Sequence, residues 1–168
     1  QNEIEIIKRD IEFCKKIGVD GVVVGFLKVD GNIDFELTKE ITDIAKPMSV
    51  TFHRAFDMCK NPEQALEEII DSGADRILTS GIHNKAIDGV DILARIVEIA
   101  NDRIIIMPGS GIRLNNILEI LSCDLEPVPA ATISAVFIMT PLYIDRVYDQ
   151  VVKHLYDIIL ENHKSHQV

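Results

Sequence analysis

Four short apolar runs rich in valine and isoleucine, Gly21–Leu27, Ser49–His53, Asp75–Thr79 and Arg103–Met107, begin 28, 26 and 28 residues apart. That interval is the length of one strand-plus-helix unit, and its near constancy restricts the fold more than any other property of the chain. A helix between two strands carries the chain back to the starting edge, so successive strands must run parallel. The runs are almost continuously apolar, as strands are when helices cover both faces of the sheet. One more step along the chain predicts a fifth strand at Ala130–Phe137.

Between the strands the apolar spacing changes to three and four. Ile4, Ile7, Ile11 and Cys14 share one helical face ahead of the first strand, and Leu37, Ile41 and Ile44 repeat the pattern. Asn61-Pro62-Glu63-Gln64 reads as an N-cap, a proline at the first helical position and a capping-box partner, with Gly73 ending that helix. Val90, Leu93 and Val97 mark a further helix and Asn116 to Leu121 a short one. Ile144, Val147, Val151, Leu155 and Ile158 mark a long terminal helix before a frayed tail at 161–168. The expectation is one domain over residues 1–168.

An open doubly wound sheet and a TIM barrel both fit this alternation. The strands end one after another in His, Ser and Gly-rich segments, as barrel strands do at a catalytic rim, which favours the barrel. Eight units at this step need about 220 residues, so the chain reads as an α/β partial barrel, with strand edges and an interior that self-association or further chain must cover. A homo-oligomer is therefore expected.

The 168 residues carry 17 Lys and Arg against 27 Asp and Glu, a net charge of -10, which repels nucleic acid. Pro127 to Ile144 lacks charge, yet its three prolines and its hydroxyl residues suit a buried strand and not a membrane span. The acidic start, Gln1-Asn2-Glu3, has no secretory character, and Cys14, Cys59 and Cys123 are few and far apart, so a reducing, cytoplasmic setting is expected.

Four segments in this order and spacing resemble the CutC family of copper-homeostasis proteins: Val19–Gly25, Thr51–Asp57, Asp75–Gly81 and Ile106–Ile112. The resemblance runs from about Glu3 to Leu121. It implies a TIM barrel whose fourth to seventh strands are the four runs, with an eighth to follow, and a role in copper homeostasis. The first three strands of that family, with cysteines proposed as copper ligands, have no counterpart here. Thr132-Ile133-Ser134-Ala135 keeps the Ser-Ala of the family's His-x-Ser-Ala element without its histidine.

Read as a strand from Thr51 to Asp57, alternation puts Val50, Phe52 and Phe56 toward the helices and Thr51, His53, Ala55 and Asp57 toward the lumen or rim. His53 and Asp57 then pair as base and orienter, and Arg54 swings over the mouth to clamp an anion if the strand stops at His53. Gly109, Ser110 and Gly111, following Pro108, offer backbone amides to an anion, with Arg113 adding a charge. Thr79, Ser80 and Gly81 add hydroxyl and backbone contacts from the preceding strand end, while His83 reads as an exposed loop residue. For copper, Cu(I) prefers thiolate and thioether, which singles out Cys59 and Met58, with Met107 across the mouth. Two functions follow: copper handling, or an enzyme or binding protein for a small anionic, phosphorylated or carboxylated metabolite.

Overall fold

A computed structural model describes residues 2–113 and 115–121, all within one compact unit, Gln1–Pro127. Helix and strand alternate through it: α1 Asn2–Ile17, β1 Gly21–Val24, α2 Phe35–Ala45, β2 Ser49–Phe52, α3 Pro62–Ser72, β3 Arg76–Thr79, α4 Val90–Ala100, β4 Ile105–Pro108 and α5 Ile117–Leu121. The four strands form one parallel sheet in sequence order. The fifth strand, the terminal helix, the frayed tail and Cys123 lie outside the described residues.

The helix boundaries follow local chemistry. Asp34 accepts from the Leu37 amide at the start of α2 (3.3 Å), and Asn61 accepts from the Gln64 amide at the start of α3 (3.4 Å), each satisfying an amide that the first turn leaves without a partner. The expected return contact from Gln64 is replaced by a bond from its side-chain amide to Glu68 (2.8 Å), one turn along the same face. Gly73 closes α3 in the left-handed region (φ 84°), where a side chain would be strained.

Paired residues in a parallel sheet share a face, which sorts the strands into two sides. Val24, Phe52, Ile77 and Ile106 form one such row, and with Val50 and Ile104 they join a core completed by Ile41, Leu66, Ile69, Leu93 and Ile96 from the helices. Phe52, Ile41, Leu66, Ile69 and Ile77 are completely buried; cutting back Phe52 to alanine would cost about 3–5 kcal/mol through lost burial and a cavity. The intervening row, Val23, Thr51, Arg76 and Ile105, points the other way. Leu78 and Met107 are on that side too, buried yet outside the helix-facing cluster. Val23, an apolar strand residue, is 55% exposed there.

One expectation is corrected. The strand read from Thr51 to Asp57 stops at Phe52, and Arg54–Met58 turns instead through a short 3-10 helix capped by His53. The cause lies far along the chain: the Asp57 side chain is captured by the end of β3, which pulls residues 54–58 out of extended register. Phe56 still reaches the core and is fully buried.

Candidate functional site

Because all four strands run parallel, their C-terminal ends and the turns that follow lie along one rim. His53, Ser80 and Gly109 therefore sit side by side on neighbouring strands, with the Gly109 amide donating to the Thr79 carbonyl (2.8 Å) and the His53 amide to the Val24 carbonyl (2.8 Å).

Asp57 is the hub of this rim. Its Oδ1 accepts from the Thr79 hydroxyl (2.5 Å) and from the Ser80 and Ile82 amides (3.0 and 3.2 Å). Its Oδ2 accepts from Arg54 Nε (2.7 Å) and lies 2.9 Å from Ser80 Oγ. The carboxylate is only 6% exposed. Burial by itself would push its pKa up, but the hydrogen bonds from Thr79, Arg54 and Ser80 outweigh that and hold it below the usual aspartate value. A carboxylate so fully engaged clamps the turn after β2 onto the end of β3 and has little capacity left to move protons.

The same clamp occupies the hydroxyls expected to face a ligand. Thr79 is completely buried and donates to Asp57. Ser80 accepts from Arg54 Nη2 (2.8 Å) and has its single proton shared between Asp57 and the His83 carbonyl. Gly81 adopts φ 68°, and a Cβ there would fall 2.2 Å from the Gly89 carbonyl oxygen, so a side chain is excluded on two counts.

Arg54 swings across the rim, as expected for a strand that stops short. Nε donates to Asp57 and Nη2 to Ser80 and the His83 carbonyl (3.2 Å), while Nη1 has no acceptor among the described residues. His53 faces the other way along the rim. Its ring lies across Gly25, where a Cβ would come within 2.5 Å of Nδ1. The Ala55 amide donates to Nδ1 (3.1 Å), so the neutral ring carries its proton on Nε2 and presents a donor. His53 borders a groove of about 380 Å³ between α1 and β1, lined also by Asp10, Cys14 and Phe26. His53 and Asp57 are therefore not brought together as a base and its orienter.

After β4, Ser110 stands at φ 78° and Gly111 at φ 72°. The Ser110 hydroxyl donates to the Asn84 carbonyl (2.7 Å) and its own carbonyl accepts from the Ala86 amide (3.0 Å). The Gly109 amide is engaged, but those of Ser110, Gly111 and Ile112 have no acceptor among the described residues. Arg113 is exposed; its amide donates to Asn116 Oδ1 (2.7 Å) and its carbonyl accepts from the Asn116 and Ile117 amides (3.1 and 2.9 Å), while its guanidinium has no partner among the described residues.

The thioether and thiol of the expected copper pair diverge. Met58 is 75% exposed whereas Cys59 is buried in the core. Burial, helped by the neighbouring Asp57 charge, pushes the Cys59 thiol up to about 11. Met107 is buried on the sheet face away from the helices. Sequence reading passed over two residues near the rim. Cys14, on the apolar face of α1, packs against the core and is half-buried in the lining of the His53 groove. Lys85, unremarked in the sequence, lays its aliphatic stem over Gly111, where a Cβ would meet it at 3.2 Å. A basic residue after a strand end was the only available signal for Lys85, and it specifies no neighbour.

Comparison with known proteins gives a consistent result. The model of the CutC family matches residues 1–127. A family protein CutC from Parabacteroides distasonis is 51% identical over 118 residues, covering 70% of this chain and 49% of that protein. The human copper homeostasis protein cutC homolog is 46% identical over 119 residues, covering 71% and 44%. The crystal structure of a CutC protein from Streptococcus agalactiae superposes with a TM-score of 0.69 at 28% identity, covering 73% of this chain and 60% of that one. The chain thus spans about half the length of the curated relatives it matches, and its parallel α/β sheet is compatible with part of a TIM-type barrel.

Proposed function

The chain belongs to the CutC family, and we propose that it serves copper homeostasis in the cytoplasm, handling copper ions as the C-terminal part of a CutC-type barrel. The observation that carries this reading is the 46% identity over 119 residues to a human protein named for copper homeostasis, beside a family match over residues 1–127 that includes the whole described sheet. Among the described residues no group of three or more His, Cys, Asp or Glu is placed to hold a metal ion. Direct contact with Cu(I) then falls, among the described residues, to isolated soft donors. Of the two described thiols Cys14 is the more accessible, half-buried in the lining of the groove. Cys59 is buried and keeps its proton to about pH 11, so a metal must displace that proton and open the core to reach it. Met58, although exposed, stands apart from the buried Cys59 sulfur.

Titration of the reduced chain with Cu(I) against a chromophoric chelator tests the reading. Cys14→Ser is expected to weaken binding more than Cys59→Ser or Met58→Leu. Unchanged affinity in all three variants removes these donors from copper handling. The reading includes self-association, which would cover Val23 and the β1 edge; a cooperatively unfolding monomer in sedimentation and melting experiments refutes that part.

A further inference from the structure

We propose that the rim formed by the turns after β2, β3 and β4 binds a small oxyanion, the phosphate or carboxylate group of a small metabolite, through Arg54, Lys85, Arg113 and the amides of Ser110, Gly111 and Ile112. This site is separate from the copper reading, and loss of copper binding in the cysteine variants leaves it untouched.

Three independent features meet there. Arg54 is held rigid by Asp57 and Ser80 through Nε and Nη2, so its free Nη1 edge is already oriented and loses little freedom on meeting an anion. The amides of Ser110, Gly111 and Ile112 are donors without acceptors among the described residues, on consecutive residues of one turn. Lys85 and Arg113 have no ion-pair partner among the described residues, although the chain as a whole carries a net charge of -10. Local cationic excess in an acidic protein concentrates anions at that place.

The parts are neighbours. Arg54 Nη2 bonds the carbonyl of His83, and the Ser110 hydroxyl bonds the carbonyl of Asn84, the next residue. Adjacent residues are about 3.8 Å apart, so the guanidinium and the Ser110 turn are anchored on two successive peptide units of the same loop, a separation of the size of a small metabolite. Lys85 follows directly and covers Gly111 with its stem. The groups originally expected to touch the ligand, Asp57, Thr79 and Ser80, instead hold Arg54 in place from behind.

The test is nuclear magnetic resonance of the isotope-labelled full chain, titrated with inorganic phosphate and, in a separate arm, with acetate. Saturable movement of the Ser110, Gly111 and Ile112 amide signals is expected in at least one arm. A stronger response to phosphate assigns a phosphoryl group, and a stronger response to acetate assigns a carboxylate. The Lys85→Gln, Arg113→Gln double variant, which disturbs no buried group, is expected to weaken the apparent affinity about tenfold and to lose most of its salt dependence. No movement of these three amides with either anion up to about 50 mM, a range already weaker than millimolar binding, overturns the proposal. So does an affinity that the double variant leaves unchanged.

Discussion

The rim divides into two regions of similar polarity and opposite bonding. Around Asp57, between β2 and β3, both carboxylate oxygens are engaged and the hydroxyls of Thr79 and Ser80 are taken up in the same network. At the turn after β4, three consecutive amides have no partner among the described residues, nor do the side-chain charges of Arg113 and of Lys85, which reaches over from the turn after β3. A saturated buried network stabilises the fold and resists rearrangement, because breaking one contact strands several others away from water. Open donors at a partly exposed turn cost little, since water satisfies them until a ligand arrives. The contrast separates polar residues that build the rim from those free to use it.

Removing the hub should break the first region. Asp57→Ala strands the Thr79 hydroxyl proton and two amides and releases Arg54 Nε, and a loss of about 3 kcal/mol in denaturant unfolding is expected. A loss below about 0.5 kcal/mol, the usual scale of surface changes, would show that the network is incidental. The acid limb sharpens the same point. Asp57 is held below its ordinary pKa in the folded state, so its stabilisation is complete above the unfolded value near 4 and is lost as pH falls through the lower folded value. Asp57→Asn should lower stability at neutral pH and flatten its fall below about pH 4. Wild type and variant falling in parallel would dismiss the carboxylate as the titrating group.

A smaller effect is expected at the β1 end of the rim. Gly25→Ala places a methyl 2.5 Å from His53 Nδ1; displacing the ring from the Ala55 amide should cost about 1–3 kcal/mol, read from thermal unfolding. The smallest belongs to the open region, where the Lys85→Gln, Arg113→Gln variant should unfold within about 0.5 kcal/mol of wild type. A large destabilisation there would mean that those cations hold the fold and would erase the contrast.

Much of the architecture was legible in residue order. The 28-residue step, the caps at Asn61 and Gly73, and the apolar faces of α1, α2 and α4 were all readable because each depends on neighbours within a few positions. His53, Arg54 and Asp57 were readable as rim residues for the same reason. Their division of labour was not. Alternation assumed an extended chain through Asp57, whereas bonds to residues 22 to 25 positions away curl that segment into a 3-10 turn. Met58 and Cys59 are adjacent in sequence and looked like a pair, but the turn sends one into solvent and the other into the core.

The sequence by itself determined the order of strands and helices, their parallel sense and the rim at which their polar ends gather, since period and capping act through bonds of short range. Only the tertiary structure decided which polar groups are saturated and which are open, because a carboxylate at Asp57 or a stem at Lys85 acquires its role from partners brought close by the packing of separate βα units. Hydrogen-bond energy falls off within a few tenths of an ångström of ideal contact, and no spacing along a chain specifies positions that finely.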